Sequence, residues 1–464
     1  MPCRISLAQL SKILAAPILN AGDDRVNCAA EGITTDTRCL EAGEVFLALA
    51  GKQFDGHRFV DMAFERGAIA AIVNTQSSTL WKQRCLKDSE HPLIQVEDTL
   101  QAYQTIAHWW RNQCKIPVIA ITGSVGKTTT KELIASVLAT QGKVLKTQAN
   151  YNNEIGVPKT LLDLDCDHDY AVVEMGMRGP GEIALLSQIA APNIAVITNV
   201  GTAHIGRLGS EAAIARAKCE LLAEMPKDSI AVLNHDDRRL RDTAASVWQG
   251  KTLTYGLTGG DLQGELLDRG TLRVLTAGQH YELPLPLPGR HNALNYLAAL
   301  AVGQLLHINL ATLTSGLAVQ LPEGRAQRYE LPNDIVILDE TYNAGVESMM
   351  AALELLAQTS GKRRIAVLGT MKELGARSQE LHQKVGVKVQ QLKLDCLLIL
   401  ADELEAAALE AGSAPVPSLC FPSHKALLDH LKALVQPGDC LLFKASHSVA
   451  LDRVVNQFRA TCEG

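Results

Sequence analysis

The chain has 464 residues, of which 47% are hydrophobic and 20% charged, a balance typical of globular proteins whose length predicts about three domains. The formal net charge of −6 and the aromatic content of 4% argue against a nucleic-acid-binding protein, which is usually basic and offers rings on which bases stack.

The 11 cysteines are scattered from Cys3 to Cys462 and include no C-x-x-C pair. This spacing indicates neither a zinc ribbon nor a dithiol redox site, and free thiols suit a reducing compartment. No uninterrupted apolar stretch approaches the roughly 18–20 residues of a membrane span. Residues 1–20 resemble an amphipathic helix more than a signal peptide. The sequence therefore predicts a cytoplasmic protein without stable membrane insertion.

Residues 1–112 show a mixed α/β pattern and are predicted to form a first domain. Within it, Asp36, Thr37 and Arg38 follow one another in a polar turn. The acid and the arginine could hold a phosphate or a sugar, but the same three residues are common in capped turns without a ligand. The pattern alone favours the capped turn. The polar run 75–90 is predicted to be a surface connection.

The most informative stretch is residues 118–130, V-I-A-I-T-G-S-V-G-K-T-T-T. Residues 118–121 predict a buried parallel strand, a glycine-bearing turn follows, and a helical pattern begins at Lys127. This order builds a phosphate cradle, because backbone N–H groups curl around the anion and the helix N-terminus adds its dipole. Lys127 can reach the terminal phosphates of a nucleotide, and the Thr128 hydroxyl can bind Mg²⁺. The predicted phosphate-binding residues are Gly123, Ser124, Val125, Gly126, Lys127, Thr128 and Thr129.

The middle domain, predicted to span residues 113–321, alternates short apolar strands with helices and predicts a parallel, helix-covered sheet. Ligands of such sheets bind where the strands end. Glu174 follows a strand predicted at 170–173, and its carboxylate suits Mg²⁺, which prefers oxygen donors. His204 follows a strand predicted at 194–197 and fits a functional or a structural role equally. The loop containing Asn152 and Asn153 either builds a stiff turn or contacts a polar ligand.

Two helices of the middle domain carry further candidates. Lys218 lies on a helix predicted at 212–225, and the pattern alone predicts an exposed lysine there. Asn292 and Asn295 are three residues apart near the start of another helix and therefore share a face. An Asn amide offers a donor and an acceptor together, which suits the edge of an adenine ring.

The last domain, predicted to span residues 322–464, is again an open α/β sheet with polar residues after its strands. The strand predicted at 336–338 leads into Asp339 and Glu340. The strand predicted at 440–443 leads into Lys444. The fold class predicted for the whole chain is therefore α/β.

Together these stretches resemble the Mur ligases of peptidoglycan synthesis over almost the whole chain. The loop itself supports this, because it has only two residues between its glycines where the usual P-loop has four, a form characteristic of a narrower set of ATP-dependent ligases. Within the family the chain is most similar to the members that add D-alanyl-D-alanine. The matching stretches, in the family's order, are T-G-S-V-G-K-T-T, N-Y-N-N-E-I-G-V-P-K-T-L-L, V-E-M-G-M-R-G-P-G-E-I, T-N-V-G-T-A-H-I-G, G-R-H-N-A-L-N, G-R-A-Q-R-Y, D-E-T-Y-N-A and M-K-E-L-G.

The resemblance implies three domains: an N-terminal UDP-substrate domain at 1–112, a central P-loop ATPase domain at 113–321 and a C-terminal Rossmann-like ligase domain at 322–464. It implies ATP and Mg²⁺ as cofactors, with UDP-N-acetylmuramoyl-tripeptide and D-alanyl-D-alanine as the other small-molecule substrates. We expect a monomer that works without nucleic acid.

The resemblance also implies roles for single residues of the central domain. Lys127 and its loop hold the ATP phosphates, Thr128 and Glu174 match Mg²⁺-binding positions, and His204 matches a second metal position. Lys218 falls at the lysine that the family carbamylates, which replaces the interpretation as an exposed helix lysine. A neutral lysine and CO₂ form an anionic carbamate that can bind or orient a metal ion.

The remaining matches concern the nucleotide and the UDP substrate. Asn292 matches the adenine-binding position, and Arg325 matches an arginine near the γ-phosphate. The pair Asp339 and Glu340 matches the acidic ribose contact, without deciding between the two acids. The predicted UDP-substrate contacts are Asp36, Thr37, Arg38, Asn152 and Asn153.

Two C-terminal motifs depart from the family pattern. Thr370 replaces the acid of the G-D-M that often precedes E-L-G, and the usual K-G-S-R reads Lys444-Ala445-Ser446-His447. These differences affect the expected dipeptide pocket and leave the ATP chemistry intact.

The implied reaction is ATP-dependent ligation of D-alanyl-D-alanine to UDP-N-acetylmuramoyl-tripeptide through an acyl phosphate. The alternatives within the class are the ligase that adds the third residue and a folylpolyglutamate synthetase. The D-N-P-R string of the diaminopimelate-adding enzyme is absent, whereas Y-N-A is present. A regulatory GTPase would carry an [NT]-K-x-D motif, which is also absent, and a non-catalytic scaffold leaves the ordered polar clusters unexplained.

Overall fold

The computed structural model describes residues 3–51, 54–75, 91–268, 270–276 and 278–463. These residues form three successive α/β regions, each built on a mainly parallel sheet, which confirms the predicted fold class. The predicted boundary after residue 112 falls at the end of the helix Thr99–Gln113, and that after residue 321 precedes the strand Gln327–Leu331. The domain boundaries stay predictions. Of the polar run 75–90, residues 76–90 lie outside the described residues.

The N-terminal region has a mixed sheet whose strands run, in spatial order, Ile18–Leu19, Leu93–Val96, Ala70–Asn74, Val45–Leu47 and Ile33–Thr34. The first pair is antiparallel and the others are parallel. Ile5–Ser6 and Ala29–Ala30 form a separate antiparallel pair. The helices here, including one 3₁₀ turn at Gly56–Phe59, are Leu7–Leu14, Asp23–Val26, Val60–Glu65 and Thr99–Gln113.

The central sheet places the phosphate loop between two parallel neighbours. The strand Val118–Thr122 pairs with Tyr170–Glu174 on one side and with Ile194–Ile197 on the other. Side chains alternate along a strand, so Ile119 and Ile121 face a core different from that of Val118 and Ala120. The spatial order is Gln279–Pro284, Thr271–Thr276, Leu262–Leu266, Lys251–Gly256, Ile230–Asn234, Ile194–Ile197, Val118–Thr122, Tyr170–Glu174 and Val144–Lys146.

Helices cover both faces of this sheet. The helices Lys127–Leu138 and Arg290–Leu305 enclose the core that contains Ile119 and Ile121. The opposite face is covered by Thr99–Gln113, Gly156–Leu162, Glu182–Ala190 and Glu211–Glu224. The remaining helices of the region are Ile205–Leu208, Arg238–Val247 and the 3₁₀ turn Leu310–Ser315.

The C-terminal sheet is parallel except for its first strand, in the order Gln327–Leu331, Ile335–Asp339, Asp439–Lys444, Arg363–Gly369, Cys396–Leu400 and Ser418–Cys420. Its α-helices are Val346–Gln358, Ser378–Gln391, Glu403–Ser413, His424–Leu434 and Asp452–Glu463. Its 3₁₀ turns are Pro332–Asp334, Gly375–Arg377 and His447–Val449. The carboxyl ends of Ile335–Asp339 and Asp439–Lys444 lead into residues that face the central region.

Candidate active site

A cavity of about 1360 Å³ lies between the central and C-terminal regions. Its walls include the whole phosphate loop, the segments after two neighbouring strands and the start of the helix Arg290–Leu305. The C-terminal region supplies the opposite wall. The predicted site residues that line it are Gly123, Ser124, Val125, Gly126, Lys127, Thr128, Thr129, Asn152, Asn153, Glu174, His204, Lys218, Asn292 and Arg325.

The phosphate loop presents an open helix N-terminus to this cavity. Gly126 has φ = 82° and precedes the helix Lys127–Leu138 without a side-chain cap. The first N–H groups of a helix have no intrahelical acceptor, so they are free to bind an anion. Lys127 Nζ folds back over the loop and donates to Gly123 O at 2.8 Å. Burial lowers the pKa of Lys127, and the nearby Arg325 lowers it further, while Glu174 opposes the shift.

The segment after the strand Ile194–Ile197 fixes the shape of the loop. Asn199 accepts from Ser124 N through its carbonyl and from Val125 N through Oδ1, both at 3.0 Å. Thr198 Oγ1 donates to Val125 O at 2.7 Å, and Ser124 Oγ accepts from Gly201 N at 2.8 Å. In the sequence, Thr198 and Asn199 stand out only as the first two residues of the motif T-N-V-G-T-A-H-I-G. The signal available in the sequence was their position directly after a predicted strand.

Glu174 is the last residue of its strand, not the first residue after it, because its pairing with Ile121 extends the ladder. The side chain is 3% exposed. Oε1 accepts from Asn152 Nδ2 at 2.8 Å, while Oε2 is buried without a hydrogen-bond partner among the described residues. An unpartnered carboxylate oxygen in a cavity fits a cation ligand, since a buried charge is costly when it is left unpaired.

Lys218 is a buried residue of the helix Glu211–Glu224 and is only 1% exposed. The prediction of an exposed lysine from the helix pattern alone is therefore wrong, because tertiary packing covers this face. Burial, reinforced by the positive charge of Lys127, lowers the pKa of Lys218 well below its ordinary value. Lys218 forms no hydrogen bond or ion pair with the described residues, so its amine is a candidate for covalent modification or ligand binding.

His204 connects the central region with the C-terminal region. It precedes the helix Ile205–Leu208 with φ = 66°, and its Nδ1 lies 2.5 Å from Glu373 Oε2. Burial lowers the pKa of His204, and Glu373 opposes this shift. Arg207 also lies 3.1 Å from Glu373. A second connection joins Thr202 N to Glu347 Oε1 at 2.7 Å.

The two asparagines near the start of the helix Arg290–Leu305 form one network beside the loop. Asn295 Nδ2 donates to Asn292 Oδ1 at 3.2 Å, and Asn295 Oδ1 accepts from Thr130 at 3.2 Å. Asn292 Nδ2 donates to Pro288 O at 2.8 Å. Both asparagines line the cavity, on the side of the phosphate loop away from Glu174.

The C-terminal wall brings two cations toward the loop. The guanidinium of Arg325 lies 3.9 Å from the ring centre of Tyr342, and its Nε is buried without a described hydrogen-bond partner. Lys444 Nζ donates to Asn343 O at 3.1 Å and lies 3.6 Å from Glu340 Oε2. Burial lowers the pKa of Lys444, while Glu340 opposes the shift.

The acidic pair after the strand Ile335–Asp339 separates into two environments. Asp339 is 4% exposed, and its Oδ1 accepts from Thr341 Oγ1 at 2.6 Å. Burial raises the pKa of Asp339. Glu340 lines the cavity, whereas Asp339 lies behind its wall. Of the two acids that the resemblance left open, Glu340 is the one positioned to meet a ligand.

Three predicted substrate residues lie outside this cavity, in the N-terminal region. Arg38 forms a multidentate ion pair with Asp36, whose pKa it lowers to about 2. Thr37 is buried, and its carbonyl accepts from Arg66 at 2.7 Å. The positive charge of Lys159 also acts on Asp36, so this turn lies near the central region. The geometry is that of a capped turn whose arginine remains exposed.

The loop of Asn152 and Asn153 was predicted either to build a stiff turn or to contact a polar ligand, and the two asparagines differ in their contacts. Asn153 Oδ1 accepts from Gly156 N at 2.9 Å, which makes a stiff turn before the helix Gly156–Leu162. Asn152 instead holds Glu174 within the cavity.

The described residues contain no cluster of three or more His, Cys, Asp or Glu side chains arranged for a metal ion. No described helix has the length and apolarity needed to cross a membrane.

Three family models match successive parts of the chain. The model of the Mur ligase family, catalytic domain, matches residues 30–111, that of the Mur ligase middle domain matches residues 121–303, and that of the Mur ligase glutamate ligase domain matches residues 324–447.

Proteins named UDP-N-acetylmuramoyl-tripeptide–D-alanyl-D-alanine ligase are similar over nearly the full length. That of Synechocystis is 53% identical over 99% of both chains, and that of Escherichia coli is 34% identical over 99% of both. The crystal structure of MurF from Acinetobacter baumannii is 31% identical, with a TM-score of 0.87 over 99% of both chains.

The crystal structure of MurF from Thermotoga maritima in complex with ADP is 30% identical, with a TM-score of 0.81 over 93% of this chain and 98% of that one. This likeness over nearly the full length, together with the three successive family models, confirms the three-domain architecture. The predicted resemblance is confirmed: the chain belongs to the Mur ligase family.

Proposed function

We propose that the chain joins D-alanyl-D-alanine to UDP-N-acetylmuramoyl-tripeptide at the expense of ATP and so makes the pentapeptide precursor of peptidoglycan. Full-length relatives carry the name of this ligase, and the Thermotoga maritima relative binds ADP. The observation that carries the proposal is the cavity in which a short phosphate loop, the unpartnered Glu174 oxygen and Arg325 from another region meet.

In this proposal ATP lies along the loop. Its phosphates accept from the first N–H groups of the helix Lys127–Leu138 and from Lys127, which exchanges its loop carbonyls for phosphate oxygens. Asn292 and Asn295 bind the adenine edge, and Glu340, in place of Asp339, meets the ribose. Arg325 approaches the γ-phosphate from the C-terminal wall.

The residues present fit Mg²⁺. Glu174 offers a buried, unpartnered carboxylate oxygen, and Thr128 offers a hydroxyl in the same cavity. His204 is the candidate at a second metal position through Nε2, because its Nδ1 faces Glu373. When bound, the metal ion would neutralise phosphate charge and orient the γ-phosphoryl group.

The carboxylate of the tripeptide must be activated before an amine can attack it, because oxide is not a leaving group at neutral pH. A carboxylate oxygen of the tripeptide attacks the γ-phosphorus, which forms an acyl phosphate and releases ADP. The amine of the dipeptide then attacks the acyl carbon, and the tetrahedral intermediate expels inorganic phosphate to leave the amide. Lys127 and Arg325 stabilise the charge that develops on the transferred group.

Lys218 fits an indirect role in this chemistry. Its lowered pKa leaves a larger neutral fraction of the amine at any given pH. A neutral amine adds to CO₂, loses one proton and becomes a carbamate anion. We propose that this anion supplies the negative charge that the buried lysine itself lacks, next to Lys127.

We further propose that the enzyme works as a monomer in the cytoplasm. One chain supplies both walls of the cavity, ATP is a cytoplasmic substrate, and the described cysteines are all free thiols. In this arrangement Arg38 and its turn face the UDP end of the tripeptide substrate.

A phosphate-release assay tests the function. Protein, ATP and Mg²⁺ are combined with UDP-N-acetylmuramoyl-tripeptide and D-alanyl-D-alanine, and product formation is followed by mass. Phosphate release that requires both substrates and gives the pentapeptide is expected. Release with UDP-N-acetylmuramoyl-dipeptide plus diaminopimelate or lysine would assign the third-residue ligase instead, and release with a folate and glutamate would assign a folylpolyglutamate synthetase.

A further inference from the structure

Arg178 is a cationic side chain of the cavity that has no role in the proposed reaction. Arg178 follows the strand Tyr170–Glu174 by four residues, is exposed and lines the cavity. Its backbone N–H donates to Glu182 Oε2 at 2.7 Å, which closes the turn before the helix Glu182–Ala190. Its guanidinium forms no hydrogen bond or ion pair with any described residue.

Apart from Lys218, the carbamate candidate, the other lysines and arginines of the cavity already have partners. Lys127 bonds to the carbonyls of its loop, Lys444 lies beside Glu340, and Lys372 lies 2.5 Å from Asp402. Arg325 stacks on Tyr342. Within the part of the chain that the structure describes, Arg178 is therefore, besides Lys218, the cavity lysine or arginine without a hydrogen bond, ion pair or ring contact.

The sheet order places the strand before Arg178 on one particular side of the phosphate loop. The strand before Arg178 lies on the side of Val118–Thr122 opposite to Ile194–Ile197. The helix that carries Asn292 and Asn295 packs against strands beyond Ile194–Ile197, on the other side. On the side of Arg178, Gly176 N donates to Asn152 O at 2.8 Å, so the two loops run together.

The same side leads to the N-terminal region. Tyr151, which precedes Asn152, acts electrostatically on Arg38. In the same loop, the carbonyl of Glu154 accepts a hydrogen bond from Gln104 at 3.1 Å. Arg178 therefore lies on the side of the phosphate loop that leads to Arg38 and the N-terminal region.

We propose that Arg178 binds a carboxylate of the acceptor peptide that does not react. The inference rests on the proposed function, because it presumes a peptide acceptor. Besides the reacting carboxylate, such an acceptor carries the α-carboxylate of its glutamyl residue. A diaminopimelyl residue adds a further carboxylate, whereas a lysyl residue does not. A guanidinium suits either carboxylate, since its fork donates two parallel hydrogen bonds.

The test compares the wild type with Arg178→Ala and Arg178→Lys on three acceptors: diaminopimelyl, lysyl, and lysyl with the glutamyl α-carboxylate converted to an amide. Arg178→Ala is expected to raise KM for the acceptor roughly ten- to hundredfold, as loss of a charged hydrogen-bonding partner does. KM for ATP should stay unchanged, and Arg178→Lys should recover part of the loss.

The acceptors identify which carboxylate is bound. If Arg178 binds the glutamyl α-carboxylate, Arg178→Ala raises KM for both unmodified acceptors. Converting that carboxylate to an amide then raises KM for the wild type but not for Arg178→Ala. If Arg178 binds the diaminopimelyl carboxylate, Arg178→Ala affects only that acceptor.

The matched control is Arg216→Ala, which removes an exposed arginine of the helix Glu211–Glu224 that does not line the cavity. It should leave every KM unchanged. An Arg178→Ala variant with wild-type KM for all acceptors, or with an equally raised KM for ATP, would overturn the inference while leaving the ligase activity intact. A wild type that turns over no acceptor would instead overturn the proposed function.

Discussion

Gly126→Ala perturbs the phosphate loop where its backbone tolerates a side chain least. Gly126 has φ = 82°, and an added Cβ would lie 2.6 Å from Asn295 Oδ1, well inside a van der Waals contact of roughly 3.5 Å. The left-handed conformation costs a non-glycine residue about 1–2 kcal/mol. Displacing Asn295 also breaks its hydrogen bond from Thr130, which contributes about 1 kcal/mol. We expect the free energy of unfolding to fall by about 2–3 kcal/mol.

A variant of a second glycine distinguishes the cost of the left-handed backbone from the cost of displacing Asn295. Gly181 has φ = 83°, but no atom of the described residues lies within 4 Å of the Cβ that alanine would add. In Gly181→Ala the free energy of unfolding should therefore fall by only about 1–2 kcal/mol, the cost of the left-handed backbone conformation. Urea unfolding measures both losses, and isothermal titration calorimetry measures ATP affinity.

The two variants should differ in ATP binding as well. Gly126→Ala should weaken ATP binding roughly tenfold or more, which corresponds to a loss of about 1.4 kcal/mol or more of binding free energy. Gly181→Ala should leave the ATP affinity unchanged. Equal losses of stability in the two variants, together with an unchanged ATP Kd in Gly126→Ala, would refute the reasoning.

The remaining predictions concern charged groups of the site. Lys127→Ala should lower kcat by roughly 10²- to 10³-fold, as loss of a transition-state donor does; steady-state kinetics near the wild-type rate would show that Lys127 is dispensable. Because burial lowers the pKa of Lys218, bicarbonate should activate CO₂-depleted enzyme more strongly as the pH rises and more of the amine becomes neutral. Activation that is independent of pH, or that persists in Lys218→Arg, contradicts the carbamate. Glu373→Gln removes the negative charge that faces His204 and Arg207 across the two regions; a partly exposed pair contributes about 1 kcal/mol, so KM for ATP should rise about two- to fivefold. The control Glu380→Gln, whose partner Arg377 lies in the same region, should leave KM unchanged, and equal effects of the two variants would exclude a contribution from the interdomain pair.

Local sequence patterns predicted the phosphate loop well. The strand predicted at 118–121 is Val118–Thr122, and the helix begins at Lys127 as predicted. This success has a physical reason: a buried strand, two glycines and a helix start are each encoded by neighbouring residues. The ordered motifs likewise predicted the family, which the full-length relatives confirm.

The sequence pattern failed where tertiary contacts decide the outcome. The pattern of the helix Glu211–Glu224 alone could not predict that packing buries Lys218, and only the resemblance pointed to a special lysine. Asn199 was missed as a support of the loop because its partner, Val125, is 74 residues away. The pairing of His204 with Glu373 joins two regions whose relative position no local pattern encodes.

The same limit applies to the acidic pair and to Arg178. Asp339 and Glu340 are neighbours in sequence, yet the strand Ile335–Asp339 buries the first and leaves the second facing the cavity. Arg178 lies within the motif V-E-M-G-M-R-G-P-G-E-I, but only the sheet order and the contact between Gly176 and Asn152 place its loop beside that of Asn152. The catalytic, metal and substrate roles of single residues stay predictions until their variants are measured.

The central claim is that the γ-phosphoryl group of ATP passes to the carboxylate of the tripeptide. The most direct test uses UDP-N-acetylmuramoyl-tripeptide labelled with ¹⁸O in its terminal carboxylate, and follows the phosphate released with D-alanyl-D-alanine by mass spectrometry. The acyl phosphate predicts that each released phosphate carries one oxygen from that carboxylate. Unlabelled phosphate, formed while the amide product accumulates, would contradict the mechanism.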